Sequence, residues 1–446
     1  MPAFKIAFVS TLRTTFDVPL AEEMVSQARA RLGEMGFTLV GDATPLMTLE
    51  DAQTRAADLL NESIDLLVIF QATFADSTMV MALAHAIDAP LLLWAVPEEH
   101  TGGRLRLNSL CGINLAGHAL RRAGIPYAHV YGLPSNEAAI GALRVQAAAA
   151  HVRRKLRGAR FGRVGENPAG FETCLVDHHA LHHRLGVTLE QIDLHTEMFA
   201  GMRAVPHAAT APVGQALAGR VAGLEALDAT ATRGTLSAYA ALKAKADEQG
   251  LQGFAVRCWP EFFTEMGCAA CGALSLLSDD HLPASCECDV NGTITQYILQ
   301  ELSGTPAVGM DVVSLDDDAD ALVVWHCGLA PLSMADADTQ PGVTIHSNRK
   351  LPLLFEFPLK PGRVTLARLS HATGDLRMVL AGGEMVRGDK PFSGTCGLVR
   401  FDRPARDVLD TILSEGLEHH ISLTYGDHCA ELRALAQMLR LPILEL

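Results

Sequence analysis

No apolar run in this chain approaches the roughly 18–20 residues that a membrane-crossing helix requires, so no transmembrane anchor is read from it. Residues 1–9 lack a basic stretch, a long apolar run and a small-residue cleavage site. They read as a first strand, and the expected location is the cytoplasm. Positive charge is in deficit: 36 Lys and Arg stand against 51 Asp and Glu, a formal charge of −15. A nucleic-acid partner is therefore not expected, because phosphate neutralisation needs a basic face. No G-x-G-x-x-G follows the first strand, and no G-x-S-x-G elbow, Walker loop, EF-hand or H-E-x-x-H pattern occurs. Dinucleotide, serine-hydrolase, P-loop, calcium-loop and zincin chemistries lose support accordingly.

What is present is globular and large. A chain of 446 residues, 49% apolar and 20% charged, exceeds one compact core and predicts two or three domains. Ten cysteines without an export signal point to reduced thiols. In residues 1–158, FKIAFVS, FTLVG, DLLVIFQ, PLLLWAV and YAHVYG alternate with amphipathic helical patterns, which predicts a parallel sheet covered on both faces. Residues 159–335 continue in α/β style through GFAVRCWPEFF (253–263), CECDVNGTITQYILQELSG (286–304), PAVGMDVVSL and DALVVWHCG. Residues 336–446 change character: alternating strands joined by Gly, Asp and Pro turns predict a small antiparallel barrel, closed by a helix over 429–439. The fold class is thus two Rossmann-like α/β domains followed by a β-rich C-terminal domain.

Several residues carry chemistry at these junctions. Glu261 ends a buried aromatic run, where a carboxylate needs a cation or a partner such as Arg257. Glu287 and Asp289 alternate at an expected strand end, so that both face one cleft; Asp289 alternatively caps the following helix. Together the three carboxylates form a candidate hard-cation site. His419 and His420 enter a strand, so one of them points inward. His326 closes the apolar run ALVVW, either as a ligand-facing group or as a satisfied core residue. His178, His179, His182 and His183 have helical spacing but read first as an exposed polar face. CAAC (Cys268, Cys271) and CEC (Cys286, Cys288) offer either a structural zinc site or buried small hydrophobes.

At these residues the chain resembles the L-fucose isomerase family and, more distantly, the L-arabinose isomerases. The similarity rests on ECDVNGTITQYILQELSGTPAVGMDV, with its E-x-D-x-x-G pattern, and on the closing HHISLTYGDHCAELRALAQMLRLPI. Order and spacing hold from about residue 253 to the C-terminus, while the first domain agrees in architecture. The resemblance implies a metal-dependent aldose–ketose isomerase whose ligands are Glu261, Asp289 and His420, with Glu287 as the fallback for Glu261. It implies Mn²⁺, or a similar cation such as Mg²⁺ or Co²⁺, and a proton moved between C1 and C2 through a cis-enediol by Glu261 and Asp289. It also implies a homo-oligomer, a hexamer or another closed assembly, in which the first domain covers a neighbour's site. NSLCGINLAG, with Asn108, and the loop after VIFQATF are the expected contributors. Trp259, Arg257, Glu287 and His326 are further candidates for substrate contact. The chain is shorter than a fucose isomerase, which leaves a pentose, a 6-deoxyhexose and an acidic sugar such as a sulfonated one all open. Arg163, Arg257 and Arg349 are candidates to meet an anionic group. The competing readings are a non-catalytic sugar-binding or regulatory α/β protein and a zinc-stabilised protein built on the cysteine pairs.

Overall fold

The computed structural model describes residues 4–388 and 390–446, so the first three residues of the expected opening strand lie outside the described ones. Two compact units result. One is the chain through Lys155 with Arg433–Arg440; the other is Leu156–Leu432 with Leu441–Leu446.

In the first unit, strands β1 (Lys5–Thr11), β2 (Thr38–Val40), β3 (Leu66–Gln71), β4 (Leu91–Ala95) and β5 (Tyr127–Tyr131) are all parallel, in the order β2-β1-β3-β4-β5. Alternate side chains feed separate cores. Ile6, Phe8, Val68, Phe70 and Trp94 face one, while Ala7, Val9, Ile69 and Leu93 face the other. Burial on both faces is why these strands read as unbroken apolar runs. Helix starts follow local chemistry: Asp17 caps Val18–Glu34, and Thr48 with Asp51 forms a capping box for Leu49–Leu59.

The second unit opens with a parallel sheet of β6 (Arg160–Val164), β7 (Thr188–Ile192), β8 (Phe254–Val256) and β9 (Ala284–Ser285), ordered β7-β6-β8-β9. Nine more strands follow: β10 (Val308–Asp316), β11 (Ala321–His326), β12 (Gly342–Thr344), β13 (Leu354–Pro358), β14 (Gly362–Ser370), β15 (Arg377–Val386), β16 (Thr395–Phe401), β17 (His420–Tyr425) and β18 (Ile443–Glu445). Six of them run β16-β11-β10-β17-β14-β15, and β15 pairs back onto β16, closing an antiparallel barrel. Closure leaves no exposed edge among those six strands. It depends on Gly383, where a Cβ would stand 2.7 Å from the carbonyl oxygen of Arg400 on β16.

Parallel α/β layers with an antiparallel barrel are the expected fold class. One difference concerns β10 and β11, which join the barrel instead of extending the parallel sheet. Their apolar runs suit either environment. The choice is made by a distant partner, Met310 of β10 pairing with Ile421 of β17. The helix Cys429–Leu439 carries the chain from the second unit into the first, and β18 returns it beside β15.

Candidate active site

The expected buried strand over 253–263 is short. β8 stops at Val256, and Pro260, which has no N–H to give a ladder, precedes a helix opened by Glu261 (Glu261–Thr264). Glu261 therefore starts a helix and does not end a strand. Its two oxygens accept from Nε and Nη2 of Arg257, both at 2.8 Å, and this pairing holds the carboxyl below the usual range. Arg257 Nη1 reaches the carbonyls of Glu166 and Asn167 at 3.2 and 3.3 Å, which anchors the fork.

Glu287 and Asp289 are not strand neighbours either. β9 ends at Ser285, and Glu287 (φ 57°) and Cys288 (φ 60°) are consecutive left-handed residues. Such conformations cost about 1–3 kcal/mol each and persist where the surroundings enforce them. Here the Cys288 amide donates to Val256 O at 3.0 Å, and the Glu287 amide meets Cys258 Sγ at 3.4 Å. Asp289 caps the helix Val290–Ser303, its Oδ1 accepting the Gly292 amide at 2.9 Å. Glycine is required at 292: a Cβ there would come within 2.8 Å of Asp289 Cγ and 3.1 Å of Arg368 Nη1. The turn and the cap thus bring both carboxylates to the start of β17.

His420 begins β17, directly across from Asp311 on β10. Its Nδ1 lies 3.0 Å from Asp289 Oδ2, and its Nε2 lies 3.8 Å from Glu287 Oε2 and 3.5 Å from Asp311 Oδ1. His419 lies beside it, ring centroids 4.0 Å apart and planes tilted by 38°, and puts Nε2 2.9 Å from Glu287 Oε2. Trp259 donates its indole N–H to the other Glu287 oxygen at 3.1 Å. Arg368, on β14, donates to Asp289 Oδ2 and to the carbonyl of Thr173 at 3.2 Å.

Burial alone would push the Asp289 carboxyl up, but Arg368 and then His420 hold it far below the usual range. Glu287 behaves alike: burial opposes ionisation, and His419, His420 and Trp259 more than reverse it. Burial would likewise lower His420, yet Asp289, Asp311 and Glu287 leave its imidazole titrating above the ordinary histidine value.

Cys174 Sγ, a Glu287 oxygen and ring nitrogens of His419 and His420 all lie within 4.8 Å of one another. Beside them Asp311 Oδ1 is buried and accepts no hydrogen bond. A carboxylate–imidazole set with a spare buried oxygen fits a divalent cation of the Mn²⁺ type. Cys174 is the poor member, because sulfur is a soft donor for such a cation; in the cation-free site burial, reinforced by Asp289 and Glu287, pushes its thiol far above the usual range. A cavity of about 250 Å³ adjoins the cluster, bounded by Arg368, Glu418, His419 and His420.

Other expectations fall in different places. His326 is buried and stacks on His420 at 5.7 Å, with Nδ1 taken by the Cys327 amide at 2.9 Å. Asn108 lies in the first unit and precedes the helix Ser109–Arg122 without a side-chain cap bond. His178, His179, His182 and His183 are exposed on the helix His178–Leu185. Of the two cysteine pairs, Cys268 packs against Gly234 and Cys288 Sγ is aimed at backbone carbonyls. Cys271 instead meets Cys286 and, at 3.4 Å, Cys327.

Arg368, Asp311 and the Glu287–His419 contact were not anticipated. Arg368 had a readable signal, since it shares strand parity with the buried Val364 and Leu366 of β14 and is an arginine in a core position. Asp311 had none, because its cross-strand partner is 109 residues away in sequence (420 − 311).

The family described as fucose/sulfoquinovose isomerase, N-terminal domain, matches residues 7–157, and the L-fucose isomerase C-terminal domain matches residues 355–446. A sulfoquinovose isomerase of Priestia aryabhattai is 33% identical over 439 residues, covering 98% of both chains. Sulfoquinovose isomerases of Alkalicoccus urumqiensis and Clostridium sp. (strain MSTE9) are each 32% identical and cover 99% of both chains. A solved periplasmic solute-binding protein of Actinobacillus succinogenes with bound D-allose is 11% identical, covering 68% of this chain and 92% of its own. Its TM-score of 0.18 carries no argument for a binding protein.

Proposed function

The chain belongs to the fucose/sulfoquinovose isomerase family of aldose–ketose isomerases, and from that premise we propose that it interconverts sulfoquinovose with the matching ketose at Glu287, Asp289 and His420. The observation that carries this reading is the meeting of Glu287 and Asp289 with the paired rings of His419 and His420. Among the described residues no helix is long and apolar enough to cross a membrane.

Isomerisation moves a proton between C1 and C2 through a cis-enediol. Glu287 is our proton carrier in place of Glu261, whose oxygens are occupied by Arg257. It is ionised, fixed on one oxygen by Trp259, and its other oxygen faces the histidines. Asp289, held by Arg368 and the Gly292 amide, orients His420 and adds negative charge. Glu287 and His420, with the spare oxygen of Asp311, would hold a divalent cation of the Mn²⁺ type, which would supply Lewis-acid polarisation of the adjacent carbonyl and hydroxyl oxygens. We further propose a closed homo-oligomer, a hexamer by family resemblance, to which the loop at Asn108 contributes.

Glu287→Gln and His420→Ala should lower kcat on sulfoquinovose by at least about 10²-fold, as expected for loss of a proton carrier or a cation ligand. Glu261→Gln should retain most activity. The reverse pattern would return the role to Glu261. Turnover in D₂O should place solvent deuterium at C1 or C2, whereas complete retention of the substrate hydrogen would indicate a hydride shift.

A further inference from the structure

An isomerase for a sulfonated sugar must read the anionic group at one end of the carbon chain while working at the other. The three arginines that the sequence offers for an anionic group differ in what they already hold. Arg257 is committed to Glu261 and to two carbonyls, and Arg163 reaches Gln191 Oε1 at 3.3 Å. Arg349 has no carboxylate within ion-pair reach among the described residues, although the chain carries a net charge of −15.

Arg349 is held by rings instead. Its guanidinium carbon lies 4.6 Å from the Trp259 ring centroid and 5.2 Å from that of Phe263, and Nη1 lies 3.3 Å from His346 Nε2. The backbone beneath it is fixed. His346 is buried, its amide donates to Leu351 O at 2.9 Å, and the Lys350 amide closes back on His346 O at 2.8 Å. Asn348 and Arg349 both aim their amides at His346 Nδ1, at 3.3 Å. Stacking leaves the edge of a guanidinium open, and with Nη1 at His346 the Nε–Nη2 edge is the one left for two parallel hydrogen bonds to a pair of oxygens.

The same indole that carries Arg349 on its face donates its N–H to Glu287. Cation and carboxylate are thus one ring apart, on a wall continued by Phe171, which meets both Trp259 (5.3 Å) and His419 (5.8 Å) edge to face. A sugar lying along this wall would offer its carbonyl end to Glu287 and its sulfonate to Arg349. We infer that Arg349, seated on Trp259 and Phe263, is the sulfonate-binding residue that sets substrate choice. The inference rests on the proposed sulfoquinovose reading.

The test compares wild type, Arg349→Met and Arg349→Lys on sulfoquinovose and on glucose, which has a hydroxyl where the other has a sulfonate. Folding of each variant is checked by thermal melting. For Arg349→Met, kcat/KM on sulfoquinovose should fall roughly 10–100-fold, mostly through KM, as for loss of a charge-assisted pair. The value on glucose should move less than about twofold, since the arginine meets only the charged end. Arg349→Lys should fall between, keeping the charge without the fork. A wild-type enzyme that prefers the sulfonated sugar, with Arg349→Met keeping that preference, overturns the role of Arg349 and leaves the substrate reading standing. A wild-type enzyme with no preference overturns both.

Discussion

Replacing Arg368 by methionine should destabilise the second unit more than any single surface change. Arg368 is 2% exposed and Asp289 1%, so the ion pair between them is shielded from water. Methionine keeps much of the stem volume but removes the donors to Asp289 and Thr173 and the charge 3.9 Å from Glu418. Asp289 then keeps only the His420 imidazole and the Gly292 amide, and Glu418 only the His371 amide. Breaking one side of a buried pair costs about 3–5 kcal/mol, because the remaining charge is left without its partner. With a urea slope of about 3 kcal/mol per molar, the midpoint should drop by roughly 1–2 M. Unfolding is followed by circular dichroism with chelator present, so that no bound cation adds to the native state. Asp289→Asn and the double variant complete a cycle, and the double variant should be more stable than the sum of the two losses predicts. A loss below about 1 kcal/mol for Arg368→Met, or strict additivity, would refute the argument that these charges depend on each other.

Gly292→Ala should cost about 1–3 kcal/mol through overpacking and depress kcat severely, because the methyl group would displace the Asp289 carboxylate and Arg368; a crystal structure or a melting curve with activity checks this. The raised pKa of His420 fixes the sign of two pH effects. Its contribution to stability is fully present below the unfolded value of 6.5 and is lost as pH rises through the folded value. Mn²⁺ affinity should move oppositely, strengthening as pH rises across that interval because cation and proton compete for the ring; calorimetric titration at several pH values measures it. The depressed carboxyl of Asp289 acts the other way, stabilising above about pH 4 and losing that contribution as pH falls. In Arg368→Met this acid-limb slope should flatten.

Much of the fold was legible in local pattern. Strands of the first unit announce themselves because both faces are buried, and helix starts because Asp17 and Thr48 have capping chemistry. Asp289 and His420, drawn from motif, do meet at 3.0 Å. Legibility failed where the backbone departs from what residue type suggests. Nothing in Glu-Cys announces two successive left-handed residues, so alternation was expected at 287–289 and the turn that delivers Glu287 was missed. Pro260 did announce the end of β8, and weighing it would have moved Glu261 onto a helix and toward Arg257, four residues away. Pairings such as Asp311 with His420 belong to barrel closure, a property of distant segments that no window of sequence contains.

The double crossing of the chain between its two units bears on the order in which the protein is made. The ribosome releases the residues through Lys155 early, but Arg433–Arg440, which complete the unit, follow only after the barrel strand ending at Tyr425. Met438 packs on that unit's core, and Arg440 donates to the carbonyl of Gly124 at 2.8 Å. Until then the nascent unit carries an open seat, and domains generally fold as they emerge. The first body begun is therefore finished only after the barrel strands, and completion of its core reports that all six of them have been synthesised.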